Sequence, residues 1–425
     1  MPIIRFIKLL FLTLLLHAIV ANSTAHAQMT GLQWRNGSRT FEIPFSYVNH
    51  FIVVDLYFEN IFAVKFIFDT GSEHTILTQR NLADILRYKY DRTFRLIGSD
   101  LQTELTAYVA RNALLNVPNS DRTPILQDIL VLEEDYFRFD EYVGMPIHGI
   151  LGADVFGRFV VTIDYERQKI ILHDPAQFQS LEQKKGVSTL PIAIHNGKPY
   201  LNAQLQLNPS DSNRLKIRLL LDTGASLALL LHRKESGGGS VRLPVRTVKT
   251  AFGRGLGGAL EGIVGRVPSL QLAADISLRN LVVGFQEIPD TLYDKFLTQR
   301  DGIIGNQIFS RFRVTIDYIN ERLFLEPTKT LQAEFPFDRS GLVITASGKN
   351  LGTFTVQYVV AGSPAALANI QTGDTISKIG YLPAFLYDLD DLQRKLSGKV
   401  GKSVALTIRR GDKKLKVRLM LRDLI

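Results

Sequence analysis

Short apolar runs with alternating polar positions extend along most of the chain, and β-branched and aromatic residues are frequent within them. Such runs are typical of β-strands rather than helices. In the first half of the chain the predicted strands are residues 43–45, 51–58, 64–68, 129–132, 159–164 and 170–173. Short helices are predicted at residues 78–86 and 153–156. We therefore expect a mainly β protein.

The same pattern recurs in the second half, where an apolar-Pro-apolar opening at residues 190–192 repeats that at 43–45. Three motifs also recur at an offset of 153 residues: Asp-Thr-Gly at 69–71 and 222–224, apolar-apolar-Gly at 150–152 and 303–305, and Arg-Phe-x-Val-Thr-Ile-Asp-Tyr at 158–165 and 311–318. A Gly- and Ser-rich loop at 236–240 replaces the first predicted helix. The chain therefore contains two structurally equivalent halves.

Each half offers one aspartate, Asp69 or Asp222, at a tight turn after an apolar run. A single Asp-Thr-Gly is usually a solvated turn, but two copies with the same 81-residue gap to the apolar-apolar-Gly motif are hard to assign to chance. Two carboxyl groups about 3 Å apart share one proton. The charged one can activate a water, and the neutral one can stabilise an oxyanion. The pattern predicts a paired-carboxylate hydrolase.

The threonine hydroxyls of the two turns, Thr70 and Thr223, are expected to bond into the opposite turn and lock the pair. Glycine lets each turn bend closely. The aspartates of the repeated octapeptide, Asp164 and Asp317, precede polar residues and a second apolar run, so we expect them to serve hairpin turns rather than catalysis.

Composition narrows the class further. Residues 1–27 have a short basic start, an apolar stretch and the small-x-small site Ala25-His26-Ala27, which predicts a cleaved signal peptide. The alternative is a membrane anchor, but the run is shorter than the roughly 20 residues that span a bilayer. The chain has no cysteine, and its eight histidines show no metal-ligand spacing, so we expect no disulfide, metal or cofactor. We predict an exported protein, periplasmic or secreted.

The net charge of +9 comes mostly from the C-terminal segment, where residues 328–425 hold 15 Lys and Arg against 8 Asp and Glu. This charge is spread over strand-like alternating segments, which is typical of a solvated strand face. We expect no nucleic-acid partner. The segment also contains a glycine turn at 340–342, a strand at 356–360 and a helix near 389–396 with leucines on one face.

On these motifs the chain resembles the pepsin-like and retropepsin-like aspartic peptidases, specifically the bacterial two-lobed form with a C-terminal PDZ domain. The resemblance implies two pseudo-twofold-related β-barrel lobes at 28–175 and 176–327, then an α+β PDZ domain at 328–425. It implies flap hairpins at 95–108 and 249–263. By this resemblance the catalytic pair is Asp69 and Asp222. The residues that support the two turns are Thr70, Gly71, Ser72, Thr223, Gly224 and Ala225. The PDZ carboxylate-binding loop is Ser340, Gly341 and Leu342.

The expected function is that of an exported aspartic endopeptidase with peptide or protein substrates, whose PDZ module binds peptide or protein C-termini through backbone amides. One alternative is a catalytically silent peptide-binding scaffold that works through the PDZ domain. A glycosidase is disfavoured, because its two carboxyl groups lie about 5–9.5 Å apart. The separation of the Asp69 and Asp222 carboxyl groups therefore discriminates between these functions.

The two turns differ at one position, since Ser72 follows the first Asp-Thr-Gly and Ala225 follows the second. A serine hydroxyl at this position could donate to the aspartate, and such a bond favours the charged form. We therefore expect Asp69 to carry the charge and Asp222 the shared proton, with a mildly acidic pH optimum.

Overall fold

The computed structural model describes residues 40–425, except 99–100, 119–124, 212, 238–240, 256–257 and 349. The predicted signal peptide at 1–27 lies outside the described residues, as does part of the Gly- and Ser-rich loop at 236–240. No helix in the described ranges combines the length and apolar character needed to cross a membrane.

In the residues that the structure describes, the first lobe contains ten strands and three short helices. The strands are β1 Thr40–Val48, β2 Phe51–Phe58, β3 Phe62–Phe68, β4 Ile76–Leu77, β5 Tyr90–Ile97, β6 Glu104–Asn116, β7 Ile125–Leu132, β8 Gly149–Leu151, β9 Val160–Asp164 and β10 Lys169–His173. The helices are α1 Arg80–Ile85, α2 Phe139–Val143 and α3 Ala153–Phe156. The predicted helix at 78–86 is therefore present but shorter.

The second lobe repeats this order. Its strands are β11 Ser188–His195, β12 Lys198–Gln206, β13 Leu215–Leu221, β14 Leu229–Lys234, β15 Thr247–Gly255, β16 Gly258–Gln271, β17 Ser277–Ile288, β18 Gly302–Ile304, β19 Phe312–Asp317 and β20 Arg322–Pro327, with helices α4 Asp290–Phe296 and α5 Asn306–Phe309. Each strand from β1 to β10 has its counterpart ten strands later, so the two halves predicted from the sequence repeat share one topology.

A six-stranded antiparallel sheet joins the lobes, in the order β1-β10-β9-β19-β20-β11. Its centre is the pairing of β9 with β19, the two copies of the repeated octapeptide. The hydroxyls of Thr162 and Thr315, which are equivalent residues of the two copies, lie 2.8 Å apart. The pseudo-twofold axis therefore passes between these threonines.

One hydrophobic core extends through both lobes and this sheet. It includes Phe68 at the end of β3 and Leu221 at the end of β13, both fully buried. Phe68 packs on Phe156 of α3, with ring centroids 4.3 Å apart. Burial of each such side chain contributes about 1.5–3 kcal/mol, so the strands that lead into the two Asp-Thr-Gly turns are firmly held.

The C-terminal module has its own sheet and core. Its strands are β21 Leu342–Ser347, β22 Thr353–Val359, β23 Thr375–Ile379, β24 Leu382–Pro383, β25 Ser403–Arg410 and β26 Lys413–Met420, and its helices are α6 Pro364–Leu367 and α7 Leu389–Leu396. The leucines predicted to share one helical face, Leu389, Leu392 and Leu396, are all buried. The fold class predicted from the sequence, mainly β with two equivalent lobes and an α+β C-terminal module, is confirmed.

Candidate active site

The two candidate aspartates lie at equivalent points of the two lobes. Asp69 directly follows β3, and its backbone N–H donates to the carbonyl of Leu151 at 3.0 Å. Asp222 directly follows β13, and its N–H donates to the carbonyl of Ile304, also at 3.0 Å. In each lobe the apolar-apolar-Gly strand pairs in parallel with the strand before the aspartate. This pairing fixes where each aspartate leaves the sheet.

The threonines of the two turns bond across the lobe interface. Thr70 Oγ1 donates to the carbonyl of Leu221 at 2.7 Å, and Thr223 Oγ1 donates to the carbonyl of Phe68 at 2.8 Å. Each hydroxyl also accepts the backbone N–H of the other threonine at 3.0 Å. Both side chains are buried, so these four bonds form away from water and rigidly couple the turns. This is the cross-turn arrangement expected from the sequence.

The two carboxyl groups meet at the interface and are hydrogen-bonded to each other. Asp69 Oδ1 also accepts the N–H groups of Gly71 at 2.7 Å and Ser72 at 3.1 Å, and Asp222 Oδ1 accepts that of Gly224 at 2.8 Å. The hydrogen bond between the two carboxyl groups means that they are closer together than the pair of a glycosidase, whose carboxyl groups are about 5–9.5 Å apart.

Glycine is required in both turns because each carboxyl group packs against the glycine of the opposite lobe. A Cβ at Gly71 would lie 2.6 Å from Cγ of Asp222, and a Cβ at Gly224 would lie 2.4 Å from Cγ of Asp69. The sequence analysis explained these glycines by turn geometry. The structure adds a second reason, which is the space occupied by the partner aspartate.

Burial and mutual repulsion decide the protonation of the pair. Burial raises the pKa of Asp69 well above its usual range, and the charge on Asp222 raises it further. Burial also raises the pKa of Asp222, but the hydrogen bond from Asp69 and the positive charge of Arg300 oppose the increase. The pair titrates as a unit, and this environment favours the proton on Asp69 and the charge on Asp222.

This assignment corrects the charge distribution expected from the sequence. The hydroxyl of Ser72 donates to the carbonyl of His74 at 2.8 Å and not to Asp69. Of the polar groups of Ser72, only the backbone N–H donates to the carboxylate of Asp69. The side-chain difference between Ser72 and Ala225 therefore does not favour a charge on Asp69, whereas Arg300 favours a charge on Asp222.

Sequence reasoning missed a polar group in the second lobe, made up of Arg300, His232 and Gln286. Arg300 is partly buried, and its Nε is buried with no hydrogen-bond partner among the described residues. Burial, and then the charge of Arg300, lower the pKa of His232 to about 3, so this histidine is neutral. His232 lies beside Gln286, the residue opposite it on β17.

The repeat could have revealed this group. Arg300 is offset by 153 residues from Ile147, which is buried in an apolar cluster of the first lobe. His232 is equivalent to Thr78, because the backbone N–H of each donates to the carbonyl of the residue directly before the glycine that begins β18 or β8. The first lobe therefore has an apolar residue, Ile147, where the second lobe has the cation Arg300.

The buried layer beneath the turns is also asymmetric. The side-chain amide of Asn306 donates to the carbonyl of Thr223 at 2.5 Å and accepts the hydroxyl of Tyr165 at 2.6 Å. The equivalent of Asn306 in the first lobe is Ala153, which has no amide. In agreement, the hydroxyl of Tyr318, the equivalent of Tyr165, is buried without a hydrogen-bond partner within the described ranges.

The segments predicted as flaps form hairpins. Residues 95–108 fall in the β5–β6 hairpin, and residues 249–263 fall in the β15–β16 hairpin. Their movement over a substrate stays a prediction. The aspartates of the repeated octapeptide serve hairpin turns, as predicted: Asp164 accepts the N–H of Arg167 at 3.0 Å, and Asp317 accepts that of Asn320 at 3.0 Å.

Comparison with known proteins gives one family match. Residues 355–410 match the family model of the PDZ domain. The C-terminal module is a PDZ domain. Among solved structures, the chain is similar to the aspartic proteinase from Irpex lacteus, with 14% identity, a TM-score of 0.43 and coverage of 69% of this chain and 99% of that one. It is also similar to Basic 7S globulin from soybean, with 11% identity, a TM-score of 0.40 and coverage of 68% and 95%. No curated protein matches the chain significantly.

The PDZ domain is stabilised internally by an ion pair between Asp374 and Arg410. Asp374 is buried, and its two oxygens accept Nε and a terminal nitrogen of Arg410 at 2.7 and 2.8 Å. These hydrogen bonds lower the pKa of Asp374. Arg410 therefore satisfies a buried charge that would otherwise be costly.

The predicted carboxylate-binding loop of the PDZ domain already holds a carboxylate. Asp338 accepts the N–H of Gly341 and, at 3.2 Å, that of Leu342, and it also accepts the hydroxyl of Ser340 at 2.7 Å. Burial raises the pKa of Asp338 to about 6 against the effect of these bonds. The amides proposed for a peptide C-terminus are thus engaged by a side chain of the loop itself. Capture of a free C-terminus stays a prediction, and it would require Asp338 to move.

Proposed function

We propose that this chain is an aspartic endopeptidase, in which Asp69 and Asp222 together activate a water for attack on a peptide bond. The observation that carries the proposal is the hydrogen-bonded pair of buried carboxyl groups, supplied by two equivalent turns that Thr70 and Thr223 interlock. A binding scaffold would have no need of two carboxyl groups held together against their repulsion. Such a pair is instead suited to acid and base catalysis at one centre.

The proposed mechanism follows from the protonation of the pair. Charged Asp222 accepts a proton from the attacking water, and protonated Asp69 donates a hydrogen bond to the scissile carbonyl oxygen. The C–O bond forms as the carbonyl π electrons move to that oxygen. When the tetrahedral intermediate collapses, the amide C–N bond breaks and the leaving nitrogen takes a proton from the pair. The pair returns to its starting state with one shared proton.

The proposal extends to location and to the PDZ domain. The leader at residues 1–27 supports export to the periplasm or the medium. The PDZ domain supports binding of extended polypeptide, because PDZ domains add a peptide strand to a sheet edge. The alternative function, a catalytically silent scaffold, makes the opposite prediction in the following experiment.

The proposal is tested by incubating the chain from residue 28 onward with a mixed peptide library between pH 3 and pH 8. Mass spectrometry should detect new termini inside the peptides, since an endopeptidase cuts away from chain ends. A chelator in a parallel incubation should leave the cleavage unchanged. Peptides that bind but remain intact at every pH would support the scaffold and overturn the peptidase proposal.

Loss of Arg300 should change the pH dependence of hydrolysis. Because its positive charge favours charged Asp222, Arg300→Met should raise the pKa at which the pair takes up its second proton. The acidic limb of the kcat/KM profile should move upward by roughly one pH unit, since a nearby opposite charge lowers a carboxyl pKa by about 1–3 units. The measurement is kcat/KM against pH with one short peptide.

A matched control for that experiment is Arg218→Met. Arg218 also lies in the second lobe, but its guanidinium is over the ring of Tyr200, 4.9 Å from the centroid. This variant loses the same charge and should keep the acidic limb where it is. An equal shift in both variants would mean that general charge, and not the position of Arg300, sets the limb.

A further inference from the structure

A cavity of about 330 Å³ lies where the PDZ domain meets both lobes. Its apolar walls come from all three units: Phe51 and Phe139 from the first lobe, Val264 and Val282 from the second, and Val343 and Leu396 from the PDZ domain. The proposed peptidase chemistry assigns no role to this space.

On the PDZ side, the cavity is the peptide groove itself. Strand β21 is an edge strand of the PDZ sheet, and both Val343 on β21 and Leu396 on α7 line the cavity. A peptide that adds to an edge strand satisfies its backbone groups along the strand and places alternate side chains in the groove. The groove therefore faces the peptidase lobes rather than open solvent.

Both ends of this groove are restricted. At one end α2 of the first lobe packs against β21, and a Cβ on Gly144 would lie 3.1 Å from Cβ of Leu389 at the start of α7. The amide of Asn49 holds this segment in place by donating to the carbonyl of Val143 at 2.9 Å. At the other end, Asp338 occupies the amides of Gly341 and Leu342.

The third side of the cavity is formed by two segments of the second lobe. Residues 226–229, which follow the Asp222 turn, line it, and so do Thr250 and Gly253 of the β15–β16 hairpin. Residue 226 is four positions after Asp222 in the sequence, so this segment connects the Asp222 turn to the cavity along the chain. This connection, together with the β15–β16 hairpin on the same side, favours an occupant that is part of the polypeptide being cleaved.

We propose that the cavity is a second substrate-binding site, which takes an apolar internal segment of the polypeptide whose scissile bond lies at Asp69 and Asp222. The site selects extended, unfolded chains, because only an extended chain reaches both places. It does not select chain ends, because Asp338 already fills the position of a terminal carboxylate. This inference rests on the proposed peptidase function and adds a substrate class to it.

The test uses a short peptide of about ten residues around a cleaved bond and two longer peptides. One longer peptide adds about twenty residues on the N-terminal side of the short peptide, and the other adds them on the C-terminal side. The full chain should cleave the longer peptide more efficiently in one of the two directions. Val343→Trp, which fills the groove, should lower the ratio of kcat/KM for long over short peptide about tenfold, in line with the loss of one buried apolar side chain. Gln393→Trp repeats the test at an exposed cavity residue that is more tolerant of substitution.

Val400→Trp is the matched control, because Val400 is 54% exposed and lies outside the cavity. It should leave the long-to-short ratio unchanged. If Val343→Trp and Gln393→Trp also leave the ratio unchanged while the short peptide is cleaved, the cavity proposal is wrong and the peptidase proposal stands. If the short peptide is not cleaved at all, the peptidase proposal fails, and the cavity proposal fails with it.

Amidation of the C-terminus of the long peptide distinguishes binding of an internal segment from binding of a chain end. With the natural chain, free and amidated forms should be cleaved with the same kcat/KM. A loss of more than about threefold on amidation would show that the PDZ loop takes a terminal carboxylate after all, and it would overturn the proposed substrate class. In Asp338→Ala, whose loop amides lack their internal partner, amidation should begin to matter.

Discussion

Asp69→Asn or Asp222→Asn alone is expected to lower kcat/KM for peptide hydrolysis by about 10²–10⁴-fold, the range typical of a lost general acid or base. An amide at either position can neither share the proton nor take one from water. Because the two carboxyl groups act as one unit, the double variant should be little worse than either single one. The measurement is kcat/KM on one short peptide at the optimum pH of the natural chain.

The control for these variants is Asp317→Asn, a change of the same type in a buried aspartate that serves a hairpin turn. It should retain hydrolysis, and circular dichroism should show all four proteins folded. A single variant at Asp69 or Asp222 that keeps more than a tenth of the activity would falsify the paired mechanism.

Gly224→Ala is expected to lower kcat by at least about 10²-fold, although it adds only one methyl group. Its Cβ would lie 2.4 Å from Cγ of Asp69, a short side chain that the N–H groups of Gly71 and Ser72 hold in place. The methyl group must push that carboxyl group away from Asp222 or separate the two turns. Small misplacements of reacting groups cost about 10²-fold in rate.

Gly352→Ala provides the comparison for this second variant. A Cβ at Gly352 meets its nearest neighbour at 3.8 Å, which is ordinary van der Waals contact. The activity of Gly352→Ala should therefore equal that of the natural chain. Should Gly224→Ala retain its activity as well, the close approach of the two turns would not be needed for catalysis.

The repeat made much of the fold predictable. Motifs at one fixed offset required two equivalent halves, and strand patterns gave elements such as Phe51–Phe58 and the helix Leu389–Leu396 at their observed bounds. The pairing of β9 with β19 was not predicted, although both strands were. Strands so far apart in sequence carry no local signal of whether they pair with each other.

The candidate site was predictable in residue type but not in electrostatics. The positions of Asp69 and Asp222 followed from the motif alone. The choice of acceptor by Ser72 did not, because the hydroxyl has the carboxylate and a backbone carbonyl within similar reach along the chain. Arg300 is an isolated arginine in the sequence, and only comparison with Ile147 marks it as unusual. Asp338 lies just before the PDZ loop, but the sequence does not indicate that it folds back onto the loop amides.

The interlocked threonines have a consequence for synthesis of the protein. Thr70 Oγ1 bonds to a carbonyl 151 residues further along the chain. Contacts so distant in sequence form late and slowly in folding, and the N-terminal half emerges from the ribosome first. A growing chain that ends before residue 222 contains Asp69 but lacks Asp222, its partner in the pair. Under the proposed mechanism, proteolytic activity would therefore begin only after the second lobe has been made and folded.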